Sequence, residues 1–322
     1  MHFEIAIIGA GQIGGRHLQA CALLHHANIH VVDPSSASIE MAHQRFKEVK
    51  GSGNVEVNYW NQIKDLPSSV DVCIVATNSA IRRDVIQRVL AHCKVEYFIL
   101  EKVLFQRIED YTFISDLFEC HSVKAWVNCP RRIFDVYTDI KNNINGPLSM
   151  FVSGNEWGLA SNGIHFIDLF QYLCNSRDDI TIHSEALNNI VYESKRPGFE
   201  EYKGTITVQA GENTLNLSCF EGEYKLPSIV IYSHDKSWLV VESNPSYVVN
   251  LSDNNAELIR QPFDIPFQSR LTNILVEQIM QKGSCALPSY EESMAIHIAF
   301  LDALIAKHAS ITKHAVDTCK IT

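Results

Sequence analysis

Three glycines near the N-terminus, Gly9, Gly11 and Gly14, stand at the spacing G-x-G-x-x-G. They lie between an apolar run, Phe3-Glu-Ile-Ala-Ile-Ile8, and an amphipathic segment carrying Ile13, Leu18, Cys21 and Leu24. A strand before and a helix after turn that spacing into a phosphate-binding turn. Gly9 permits the tight bend, Gly11 lets the backbone approach a pyrophosphate, and Gly14 lets helix and strand pack closely. Gln12 and Ile13 belong to the same turn and are assigned to the dinucleotide with it. A second apolar run, Ile29-His-Val-Val-Asp33, ends on a carboxylate. It comes about 20 residues past the fingerprint, where it can accept hydrogen bonds from ribose hydroxyls. The alternative role for Asp33 is to open the turn-forming sequence Asp33-Pro34-Ser35-Ser36. No arginine follows directly to hold a 2'-phosphate, so NAD is expected in preference to NADP.

The elements around this turn must come from a chain of 322 residues, long enough for two domains. Hydrophobic residues make up 46% and charged residues 20%, an ordinary globular balance. No basic-then-apolar leader is seen, and no run long enough to cross a bilayer is expected. A net charge of -10 offers no general attraction to nucleic acid or anionic membranes. The nine cysteines are scattered and lack any CxxC pair. They read as reduced, mostly buried hydrophobes rather than nucleophiles or metal ligands, which places the chain in the cytoplasm and predicts no metal site.

Strand and helix patterns alternate from the N-terminus to Val123-Lys-Ala-Trp-Val-Asn128, interrupted by the Gly51-Ser-Gly53 breaker. The strands are continuous apolar runs. This predicts a doubly wound parallel sheet, a Rossmann α/β domain over residues 1–128. Beyond it, strand-like segments follow one another from Leu148 to Leu251, with one helix, Gly163 to Leu173, among them. Residues 129–322 are therefore expected to form an α+β domain on a mostly antiparallel sheet. Its uncovered face would build a homo-dimer or homo-tetramer. Helices are expected over Gln268–Gln281 and Tyr290–Lys307, the C-terminal one packing back on the first domain.

The fingerprint, the Glu101-Lys102 pair closing a strand, and Gly163-Ile-His165-Phe-Ile-Asp168-Leu together resemble the Gfo/Idh/MocA oxidoreductase family along the whole chain. The resemblance implies a nicotinamide cofactor and redox chemistry at a hydroxyl carbon, most often on a sugar, an inositol or a sugar nucleotide. It implies that Lys102 hydrogen-bonds the reacting hydroxyl and that His165 assists proton transfer. It also draws Glu101 and the Thr77-Asn78 pair toward the cofactor. The chain departs from the family pattern in three places. Val103 stands where the family has the proline of Glu-Lys-Pro, and Ser161 where it has the aspartate of Asp-x-Gly-x-His. Thr77-Asn78, with Arg82 beyond, stands where it has Thr-Pro followed by His.

Physically, the group that takes the hydroxyl proton should titrate near working pH, which suits His165. Lys102 can polarise the oxygen, and Ser161 cannot serve as a base alone. Asp168, one turn beyond His165, orients the ring or partners the helix dipole. Asn162 caps the helix or meets substrate. Arg131 and Arg132 either bind a carboxylate or phosphate or lie solvated at the surface. Trp157 either stacks on a sugar or packs in the core. Three readings stay open: a dehydrogenase on a sugar-like substrate, anionic or nucleotide-linked; a dinucleotide-binding regulator without turnover; and an enzyme holding NAD as an internal redox agent.

Overall fold

The computed structural model describes residues 2–51, 55–174, 179–252 and 259–322. Ser52 and Gly53 of the glycine breaker lie outside the described residues. The chain divides into two compact units, the first holding the residues up to Phe105, Glu109–Asn128 and Pro266–Glu292.

In the first unit the strands are β1 (Phe3–Ile8), β2 (Ala27–Val32), β3 (Val55–Trp60), β4 (Ser69–Val75), β5 (Lys94–Leu100) and β6 (Lys124–Val127). They alternate with α1 (Gln12–Cys21), α2 (Ser36–Lys47), α3 (Ser79–His92) and α4 (Ile108–His121). Among the described residues they form a six-stranded sheet in the order β3-β2-β1-β4-β5-β6, with every pairing parallel. That is the doubly wound dinucleotide-binding order, whose ligand crevice lies at the carboxyl ends of the strands, beside β1. Ile5, Ile7, Val72, Ile74 and Phe98 are wholly buried, as a sheet covered on both faces requires. Ser35 caps α2 by accepting from the Ser38 N–H at 3.3 Å. Asn78 caps α3 by accepting from the Ala80 N–H at 3.1 Å.

The second unit comprises Gln106–Ile108, Cys129–Ile265 and Ser293–Thr322. Its elements run α5 (Asp135–Asn143), β7 (Ser149–Asn155), α6 (Leu159–Cys174), β8 (Thr181–His183), β9 (Tyr192–Glu193) and β10 (Glu200–Glu201). Then come β11 (Gly204–Ala210), β12 (Asn213–Phe220), β13 (Lys225–Tyr232), β14 (Ser237–Val241), β15 (Tyr247–Asn250) and β16 (Arg260–Pro262). Among the described residues, eight strands form one sheet in the order β16-β15-β14-β13-β7-β12-β11-β8, and β9 and β10 form a separate ribbon. The large sheet is antiparallel except where β12 runs parallel to β7. Its strands alternate strictly: Met150 and Val152, Leu215 and Leu217, and Ile229 and Ile231 are buried on one face. Phe151, Phe220, Leu226 and Tyr232 are exposed, with Phe151 edge-on to Tyr232 at 6.1 Å.

The remaining helices are α7 (Thr272–Lys282) and α8 (Tyr290–Thr312). Ser289 and Glu292 form a reciprocal capping box at the start of α8, with bonds of 3.2 and 2.9 Å. By length and composition α8 does pass for a membrane span, with mean hydropathy 1.4 over its most apolar window, against the expectation of no such run. Its apolar residues are instead part of a core: Ile296, Phe300, Leu301 and Leu304 are fully buried at helical spacing. A Cβ on Gly163 of α6 would meet Phe300 of α8 at 3.2 Å and Leu217 of β12 at 3.4 Å. The glycine thus permits the close approach of these three elements.

Candidate functional site

In the first unit the site is built around the turn from β1 to α1. Gly9 has φ +99°, a conformation that L side chains rarely adopt. A Cβ on Gly14 would fall 1.7 Å from the Gly9 carbonyl oxygen, so only glycine lets α1 start against the strand end. Gly11 is the N-cap of α1, with no side-chain capping bond and no acid in the first turn. A Cβ there would meet no protein atom within 4 Å. The first N–H groups of α1, including those of Gln12 and Ile13, are thus left without a side-chain cap, the arrangement that accepts a pyrophosphate.

Asp33, at the end of β2, turns one carboxylate oxygen to the Ala10 N–H at 2.8 Å and the other to the Ser35 N–H at 2.8 Å. The Ser35 bond is the turn-opening role read from the sequence, and the Ala10 bond ties the same side chain to the fingerprint loop. Thr77 follows β4, and its buried hydroxyl oxygen has no hydrogen-bond partner among the described residues, an acceptor and donor left for a ligand to satisfy. These features fit a dinucleotide.

Glu101 follows β5 and is 8% exposed. It accepts from His17 Nε2 at 3.0 Å and from Asn128 Nδ2 at 2.5 Å, while His17 Nδ1 meets Thr272 Oγ1 at 2.8 Å. Burial pushes the carboxyl up, but hydrogen bonding and charge from His17, with help from Asn128 and Lys102, hold it below the usual carboxylate range. Lys102 is half-buried, and its peptide bond to Val103 is cis. The buried Arg82 donates to the carbonyls of Val103, Leu104 and Thr77. It braces the loops after β4 and β5 together. His17 and Arg82 are thus supports that motif reading left without a role. His17 lies one turn into α1, but nothing in the sequence pairs it with Glu101, 84 positions on.

In the second unit, α6 carries Ser161, Asn162, His165 and Asp168. Asp168 is fully buried and takes Arg132 bidentately, at 2.6 and 3.0 Å. Arg131 grips Glu242 likewise, at 2.9 and 2.7 Å, and lies over the Phe166 ring at 4.2 Å. Tyr137 adds a 2.7 Å bond to Glu242. Burial works against the Arg131 charge, but Glu242 more than offsets it and raises the guanidinium's pKa. Both arginines thus brace the fold through internal carboxylates, in place of the anion-binding or solvated roles expected for them. Trp157 is 5% exposed, donates its indole N–H to the Ser218 carbonyl at 2.9 Å and meets Phe166 edge-on. Asn162 donates to the Trp157 carbonyl at 2.8 Å.

Sequence reasoning also missed Glu201. From β10 its carboxylate accepts from the Ala160 N–H at 2.9 Å, the Ser161 N–H at 3.1 Å and the Ser161 hydroxyl. A carboxylate therefore stands at the head of α6 although position 161 itself supplies none. Burial pushes its carboxyl up, against the opposing hydrogen bonds from Ser161 and the backbone. No sequence signal links a two-residue strand to a helix start about 40 positions earlier.

Residues 3–129 match a family profile described as an oxidoreductase family with an NAD-binding Rossmann fold. No curated protein matches the chain by sequence. Among solved structures, the chain is similar to a UDP-N-acetylglucosamine 3-dehydrogenase from Acidithiobacillus ferrooxidans, with 12% identity, a TM-score of 0.72 and coverage of 97% of this chain and 99% of that one. An oxidoreductase from Agrobacterium radiobacter, in complex with NAD+, L-tartaric acid and magnesium, has 13% identity, a TM-score of 0.70 and coverage of 98% of each chain. The transcriptional regulator Gal80p from Kluyveromyces lactis has 14% identity, a TM-score of 0.67 and coverage of 98% of this chain and 95% of that one. At these identities the likeness is one of fold.

Proposed function

Because its cofactor domain, residues 3–129, belongs to the Gfo/Idh/MocA oxidoreductase family, we propose that this chain transfers a hydride between NAD and a hydroxyl or keto carbon of a sugar-like substrate. The observation that carries the reading is the turn from β1 to α1. The uncapped start of α1 and the glycine contact that no other residue allows form a dinucleotide cradle. The Gly9-Gly11-Gly14 turn, with Gln12 and Ile13, holds the pyrophosphate, and Asp33 takes the ribose hydroxyls, which favours NAD over NADP. Thr77, Asn78 and Glu101 complete the cofactor side. Bound NAD supplies a two-electron acceptor at carbon.

Lys102 polarises the substrate oxygen, and His165 takes or returns its proton. Glu101, fixed by His17 and Asn128, places a negative charge next to Lys102. Asn162 meets the substrate, and Trp157, packed in the core, supports it from behind. The exposed apolar residues of the large sheet, Phe151, Phe220, Leu226 and Tyr232, support a homo-oligomer formed through that face. Nine cysteines without a disulfide among the described residues support a reducing compartment.

A second reading, a dinucleotide-binding regulator, is favoured by Ser161 in place of the family's aspartate and by the shared fold with Gal80p. Incubation with NAD and a panel of sugars and sugar nucleotides, followed by NADH absorbance and mass spectrometry, separates the readings. NADH formation supports the dehydrogenase. Conversion of a sugar without net NADH supports internal redox. Saturable NAD binding with no converted sugar supports the regulator.

A further inference from the structure

Glu201, half-buried, is one of the residues lining a cavity of about 310 Å³ whose walls belong wholly to the second unit. Asn162, Tyr192, Glu193, Lys195, Lys203 and Tyr224 line much of the rest. Both ammonium groups are engaged. Lys203 meets Glu156, another lining residue, at 2.5 Å and lies over the Tyr192 ring at 4.3 Å. Lys195 lies over the Tyr224 ring at 4.4 Å. Glu156, Glu193 and Glu201 line the same space as the two lysines. The charge balance of the lining is therefore not positive, and a phosphate or carboxylate would enter without a cation to receive it. The amide of Asn162 is fixed through its nitrogen on the Trp157 carbonyl, which leaves its oxygen as an acceptor. Tyr224 is 59% exposed and, with Lys195 over one face of its ring, keeps the other for an apolar contact. The volume stands at the lower end for ligand pockets, enough for one sugar ring.

We infer that this cavity binds a single uncharged or amine-bearing pyranose, its hydroxyls meeting Asn162, Glu193 and Glu201 and its apolar face meeting Tyr224. The choice of a sugar rests on the function proposed above. The exclusion of anionic and nucleotide-linked sugars rests on the lining alone.

The test is calorimetric titration of the full chain, without dinucleotide, with D-glucose, D-mannose, D-galactose, their 2-amino derivatives, D-glucuronate and UDP-N-acetylglucosamine. At least one neutral or amino hexose should bind saturably and at least tenfold more tightly than D-glucuronate or UDP-N-acetylglucosamine. Tyr224→Ala and Glu193→Gln, both at exposed positions, should each weaken that binding about tenfold or more with an unchanged melting temperature. Glu201→Gln should do the same but also tests the cap of α6, so its melting curve is read alongside. Binding of none of the hexoses, equal or tighter binding of D-glucuronate, or full affinity in Tyr224→Ala overturns the inference. Hexose binding lost in Tyr224→Ala, with no bound hexose oxidised or reduced, contradicts the oxidoreductase function and leaves the cavity assignment standing. Turnover of a sugar that is indifferent to Tyr224→Ala does the reverse.

Discussion

Adding one methyl group at Gly14 tests the cofactor cradle more sharply than any polar substitution. The new Cβ would lie 1.7 Å from the Gly9 carbonyl oxygen and 2.8 Å from its carbon. Both are backbone atoms of a turn whose own conformation only glycine favours, so no side chain can swing aside. Relief requires α1 to move away from the end of β1 by more than an ångström. Overpacking of a well-filled site costs about 1–3 kcal/mol, and a backbone collision of this depth belongs at the upper end, about 3 kcal/mol. For a unit of this size that lowers Tm by roughly 6–12 °C. Gly11→Ala is the control, since its Cβ meets nothing within 4 Å and should cost no more than about 0.5 kcal/mol. The same methyl would stand where the pyrophosphate approaches, so NAD affinity should fall about tenfold, roughly 1.4 kcal/mol. Calorimetric melting and NADH fluorescence titration on both variants give the answer. A Gly14→Ala protein melting within about 2 °C of wild type, or a Gly11→Ala protein binding NADH normally, refutes the reasoning.

Other outcomes follow from the same groups. NADH should bind more tightly than NADPH, because Asp33 would face a 2'-phosphate with like charge, and Asp33→Ser should narrow the difference; equal wild-type affinities at fixed salt count against it. Lys102→Met and His165→Asn should each lower kcat by on the order of 10²-fold with NAD affinity little changed, read by steady-state kinetics once a substrate is in hand. The Glu101 carboxyl is held low in the folded protein. Its stabilisation is therefore complete above the ordinary glutamate range and is lost as pH falls through the depressed value. Glu101→Gln should flatten the acid limb of a urea-midpoint profile, and an unchanged limb contradicts the assignment. Light scattering at micromolar concentration should show at least a dimer, and Phe151→Asp with Tyr232→Asp should reduce it to a monomer.

Much of the architecture is legible in the sequence because its signals are local. The apolar run Phe3–Ile8, the glycines after it and the carboxylate at Asp33 sit in one stretch, and β1, β2 and β4 each close on an apolar run. The period-two pattern of β7, β12 and β13 likewise announced a sheet with one buried face. What escaped was non-local or short. Helix α5 follows directly on a 3-10 turn at Pro130–Ile133 and spans only nine residues. The β9–β10 ribbon has two residues per strand, too few for any periodicity. Residues 266–292 join the first unit through contacts such as His17 with Thr272, which no local pattern encodes. The ion pairs of Arg131 with Glu242 and Arg132 with Asp168 span 111 and 36 positions. Adjacent arginines therefore looked available for an anion when each was already matched. Glu201 escaped for the same reason, since its partners lie 40 and 41 positions earlier.

Hydride transfer itself can be followed with NADH carrying deuterium at the transferable nicotinamide position, incubated with the full chain and a panel of keto sugars and keto-sugar nucleotides. The proposed function predicts that at least one sugar gains deuterium on the former carbonyl carbon, detected by mass spectrometry and located by NMR, and that Lys102→Met suppresses the transfer. Saturable NADH binding with no deuterium in any sugar would contradict it.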